Sequence, residues 1–141
     1  MFNKKYEDRL RSWVEFRDFI ETSADPIQEC INFYRNAPTV NIQVDPWDAN
    51  SWLNPWELLR ENRYCEFSII LGICYSLQLT DSFLDAKFVI HICTNTADSE
   101  VKYLLSIDDK VIGYDPERWV DKSELPETLR IEIAYEMPSL Q

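Results

Sequence analysis

The chain has 141 residues, a formal net charge of −11 and only two glycines, Gly72 and Gly113. That length suits one domain with one buried core, the apolar and aromatic content argues against disorder, and the scarcity of glycine argues against a glycine-rich phosphate loop. Residues 1–35 carry six basic and seven acidic side chains and residues 36–141 carry eight and eighteen, so the acidity belongs to the body of the chain and opposes direct nucleic-acid binding.

The start, MFNKKYEDRLRSW, lacks an apolar core of signal-peptide length. Tyr6, Leu10, Trp13, Val14, Phe16 and Ile20 then recur near helical spacing with charges between them, which predicts an amphipathic helix within residues 4–21. Asp25, Pro26 and Gln28 combine a cap, a first-turn proline and a third-position amide, and so start a second helix over about Pro26–Arg35. Val40, Ile42 and Val44 alternate with Thr39, Asn41 and Gln43, the period of a short half-buried strand that Asp45 and Pro46 should end.

The segment Asp45–Leu59, DPWDANSWLNPWELL, gathers three of the five tryptophans and two of the seven prolines. Asn54 as cap, Pro55 at the first helical position and Glu57 at the third form a capping box, with Leu53 and Leu58 placed as a staple. The apolar pattern from Leu58 to Leu77 then predicts a mostly buried helix, either continuous or broken near Asn62 and Arg63. Ser68, Gly72 and Ser76 make one of its faces narrow enough for another element to approach closely. The apolar stretch from Phe67 to Leu79 is too short and too interrupted to span a bilayer.

Beyond residue 87 the period changes to two. Phe88–Cys93 and Lys102–Ile107 read as strands, Asp108–Lys110 as a hairpin turn, Val111–Tyr114 as a third strand and Arg130–Tyr135 as a fourth. Helices followed by antiparallel strands predict an α+β single domain over residues 1–141. N-terminal helices and a buried central helix would pack on a small antiparallel sheet of about four strands.

Three groups of residues are candidates for function. Cys65, His91 and Asp115, in that order, could supply a thiol nucleophile, a base and an orienting carboxylate. His91 and Cys93 share a strand face, but the four cysteines lack CxxC spacing and read as reduced, buried thiols; no metal or other cofactor is expected. Asp108 and Asp109 most simply serve their turn, as Asp45 and Asp48 serve theirs. Trp47, Trp52 and Trp56 either fold tightly over the core or stand out as anchors for a partner protein.

The words RYCEF and GYDP, with the order Cys65, His91, Asp115, resemble transglutaminase-like thiol enzymes over about fifty residues. That family's pattern places the histidine on a later strand, which here would fall near Val101 and Lys102. From Val40 onward, DPWDANSWLNPWELLRENRYCEFSIILGICYSLQLTD, FVIHIC, YLLSIDDKVIGYD and YEMPSL resemble a family of small uncharacterised proteins encoded by contractile-tailed phages of marine cyanobacteria (cyanomyophages). The second resemblance brings no catalytic residues with it. It implies a viral product that acts in the cytoplasm of the infected host cell or is carried in the virion.

The sequence thus favours a non-enzymatic interaction protein, either a minor virion or assembly component or a host-directed accessory factor. Its partner would be a phage or host protein, with no direct nucleic-acid binding and no membrane. A small transglutaminase-like thiol hydrolase or transferase is the alternative. DNA mimicry is disfavoured because the acids are scattered among apolar elements instead of lining one face.

Overall fold

The computed structural model describes residues 1–42 and 44–140. Among these residues the fold is α+β, with four α-helices and one five-stranded antiparallel sheet. Two compact units account for it: Met1–Leu84, with Leu140, and Asp85–Ser139.

In the first unit, α1 (Tyr6–Glu21) buries Arg9, Trp13, Phe16 and Ile20 along one stripe, while Val14, placed in that stripe by spacing, is exposed. Helix α2 (Pro26–Tyr34) starts as expected, with the Asp25 carboxylate accepting from Gln28 N at 3.2 Å. The apolar stripes of these helices meet in an aromatic cluster: Phe16 stacks on Phe33, and Phe2 sets its ring against Phe33, Tyr34 and Tyr64.

The short strand expected over residues 39–44 does not form among the described residues. Its nearest equivalent is one parallel bridge between Thr39 and Tyr64, in which Tyr64 N donates to Pro38 O and Val40 N donates to Tyr64 O. Val44 is 5 % exposed and Ile42 83 %, so the two do not share the face that alternation assigned them. Gln43 lies outside the described residues. The bridge's partner is the short link between two helices, which is too brief to extend a ladder.

That link resolves the break left open by the sequence. Helix α3 (Pro55–Glu61) ends at Asn62, whose φ of 50° is left-handed, and α4 (Glu66–Gln78) begins after Cys65. Asparagine tolerates this conformation better than most residues and commonly ends helices. Arg9 then clamps the junction: its guanidinium donates to Leu59 O at 2.8 Å, to Arg60 O at 3.2 Å and to Lys4 O, while Asn62 Nδ2 donates to Phe2 O.

Helix α4 is buried almost throughout, and its narrow face packs against α2 as the Ser68, Gly72, Ser76 spacing implied. A side chain at Gly72 would meet the Tyr34 ring. Ser76 Oγ donates to Gly72 O, accepts from Trp13 Nε1 at 2.9 Å and lies 3.2 Å from Tyr34 Oη, so one hydroxyl ties three helices together.

The second unit holds β1 (Phe88–Asn95), β2 (Glu100–Ile107), β3 (Lys110–Ile112), β4 (Val120–Asp121) and β5 (Leu129–Glu136), in the order β4-β3-β2-β1-β5. Four correspond to expected strands. The fifth, β4, is two residues long and carries no periodicity of its own; it exists because Val120 and Asp121 pair with Val111 and Lys110. A register shift between Ile92 and Cys93 sets Cys93 opposite Ile131, which brings Leu129 and Ile131 to the same side as Cys93. On that side Cys93, Leu104, Val111 and Val120 form a small core, with Tyr114, Leu125 and Leu129 packed against it. Among the described residues no helix is long and apolar enough to cross a membrane.

Candidate functional site

The tryptophan segment is held by its own polar groups. Asp45 Oδ1 accepts from Trp47 N, Asp45 O accepts from Ser51 Oγ and Trp52 Nε1, and Asp48 Oδ1 accepts from Asn50 N at the head of a single 3-10 turn, Ala49–Ser51. The capping box follows complete, with Glu57 N donating to Asn54 Oδ1 at 2.9 Å and Asn54 N to Glu57 Oε1 at 3.0 Å. Tyr75 Oη, from α4, donates to Leu53 O at 2.6 Å and fastens the segment from below. A loop tied at this many points presents its side chains with little freedom left to lose.

The three rings have different fates. Trp52 closes over α4, its ring 4.9 Å from that of Phe67. Trp47 and Trp56 are 46 % and 49 % exposed. Trp56 rests edge-on against buried Trp13 with centroids 5.6 Å apart, and the Arg17 guanidinium covers the Trp13 ring at 4.5 Å. The tryptophan that bonds Ser76 and supports Trp56 is therefore Trp13, which the sequence reading placed only in a helical stripe.

Cys65 stands at the N-cap of α4, the amide-rich position that favours a thiolate. It is nevertheless buried at 5 % exposure, with Sγ 3.3 Å from Ser68 Oγ, and that hydroxyl also accepts from Cys65 N. His91 and Asp115 belong to the second unit. His91 Nε2 lies 3.1 Å from Ser106 Oγ and its Nδ1 has no hydrogen-bond partner, so neither nitrogen is bonded to Asp115. Asp115 instead accepts from Glu117 N and lies 3.5 Å from Arg118 Nε.

The four cysteines are buried and form no disulfide, and burial pushes the Cys30, Cys74 and Cys93 thiols up from their ordinary value. Iodoacetamide at neutral pH is expected to alkylate them about a hundredfold more slowly in the native protein than in urea. Peptide mapping checks this site by site, and fast native labelling confined to Cys65 would identify a working nucleophile. Asp108, at a left-handed φ of 52°, and Asp109 form the β2–β3 turn and tie it to its neighbours: Asp108 Oδ1 accepts from Lys87 N, and Asp109 O accepts from Lys122 N. Among the described residues no three histidine, cysteine, aspartate or glutamate side chains gather as metal ligands.

The bonding of His91 was not visible from spacing, since Ser106 reaches it across the ladder from β2, two pairs beyond the Leu104 that sits opposite. Neither a scan against protein-family models nor a search of curated proteins gives a match to this chain.

Proposed function

We propose that the chain is a non-enzymatic interaction protein of a phage, a minor virion or assembly component or a host-directed accessory factor, that engages a phage or host protein through Trp47 and Trp56. The observation that carries this reading is the display of two large rings on a loop and helix start already locked by hydrogen bonds. Tryptophans presented in this way supply much contact area at small entropic cost and are enriched where binding energy concentrates. The acidic surface favours basic or neutral protein partners over nucleic acid.

Affinity isolation from infected cells, with the wild-type protein beside a Trp47→Ser/Trp56→Ser variant, tests the proposal. The expected result is one phage or host protein recovered by the wild type and lost from the double variant. The variant should remain folded with a loss of about 3–4 kcal/mol, because each ring is only about half out of water and Trp56 also gives up its edge contact to Trp13. Equal recovery by both proteins would overturn the assignment of the site. Copy number in purified particles separates a virion component from a host-directed factor.

A further inference from the structure

The side of the sheet that carries His91 holds a cleft of about 310 Å³, within the second compact unit and independent of the tryptophan site. That volume lies at the lower end of ordinary small-ligand pockets, about 300–1,000 Å³. Its walls are apolar, with Leu104 and Val111 from the sheet, Leu129 and Ile131 brought round by the β1–β5 register shift, and Leu125 and Pro126 from the segment before β5.

Two features give the cleft a sign. Among the described residues Lys122 is the one permanently charged side chain in its lining, with no aspartate or glutamate there, although the chain carries a net charge of −11. Its ammonium makes no ion pair among the described residues, while its backbone is fixed by the bond from Lys122 N to Asp109 O. Beside it, the His91 ring forms part of the wall; its Nδ1 is sealed from solvent without a hydrogen-bond partner, so a ligand in the cleft meets other atoms of the ring.

We propose that this cleft binds a small organic carboxylate, its apolar body against Leu104, Val111, Leu129 and Ile131, its carboxylate on Lys122 Nζ, and the His91 ring forming part of the wall beside it. Groups of both signs surround the ring. Cys93 lies on the same strand; Lys122 opens a 3-10 turn, Lys122–Glu124; Lys87, Asp108 and Asp109 line the adjoining recess; and Glu132 on β5 acts on Cys93. In the free protein, burial and then the Lys122 charge hold the His91 pKa below its ordinary 6.5. A bound anion would reverse the second influence and raise it.

The chain's one histidine makes the test direct. Ring resonances of His91 would be followed by NMR while benzoate is added, with acetate, benzyl alcohol and benzylamine as probes of body, charge and sign. Expected is a saturable shift with benzoate at pH 6.5, a raised His91 pKa in the complex, and affinities about tenfold weaker for acetate and benzyl alcohol. Benzylamine should not bind. Lys122→Gln, an exposed position, should fold normally and bind benzoate about tenfold more weakly. No saturable shift, equal affinity for benzyl alcohol or benzylamine, or unchanged affinity in Lys122→Gln would each overturn the proposal.

Discussion

Arg9→Met is expected to lower the stability of the first unit by about 2–4 kcal/mol, a large share of the 5–15 kcal/mol typical of a whole domain. Methionine nearly matches the arginine stem but cannot donate, so the carbonyls of Leu59, Arg60 and Lys4 lose a shared charged donor at once. The bond to Leu59 O is buried, and water cannot readily replace it there; the other two are partly buried and should be partly compensated. Two of these carbonyls belong to the last turn of α3, where a cation also complements the helix dipole. Urea unfolding followed by tryptophan fluorescence checks the value, and four of the five tryptophans lie in this unit. Arg9→Lys keeps the charge without the fork of donors and should recover less than half of the loss. A midpoint for Arg9→Met indistinguishable from the wild type would show that solvent replaces the clamp.

Gly72→Ala is expected to destabilise by about 2 kcal/mol, opposite in sign to the usual gain of about 1 kcal/mol for alanine over glycine inside a helix. The added methyl would lie 2.6 Å from Tyr34 Cε1 and 2.8 Å from Cζ. The ring has little room to yield, because its hydroxyl lies within bonding distance of Ser76 and its faces and edges meet Phe2, Phe33 and Tyr64. Either α2 moves away from α4 or the Tyr34 ring leaves its place, and each disturbs the Trp13–Ser76 bond as well. Combining Gly72→Ala with Tyr34→Leu should cost less than the two changes taken separately, because the smaller side chain removes the collision. Gly72→Ala that proves as stable as the wild type would show that the helices separate at no cost.

Local signals were legible wherever neighbours in sequence are also neighbours in space. Asp25 and the Asn54–Glu57 box cap their helices as read, because a cap reaches only three residues along the chain. Strands β1, β2 and β5 followed from alternation, and the α+β class from the order of the elements. Alternation failed over residues 40–44, where the pattern was present but no partner strand was, and β4 was the converse case, a strand made by its partner without a pattern.

The candidate sites divide along the same line. Composition marked Trp47, Trp52 and Trp56 as a group; only the packing of Trp52 on Phe67 and of Trp56 on Trp13 distinguished the covered ring from the two displayed ones. The order Cys65, His91, Asp115 suggested a triad, but the surroundings of each depend on Ser68, Ser106 and Arg118, and the Ser106 bond crosses between strands. By itself the sequence determined helix starts, strand periods, fold class and the sign of the surface, since these depend on backbone propensity and summed charge. Tertiary structure decided the break at Asn62, the Arg9 clamp and the face carrying His91 and Lys122. Their bonds join residues far apart in the chain, and long-range pairing leaves no mark on the local pattern of either partner.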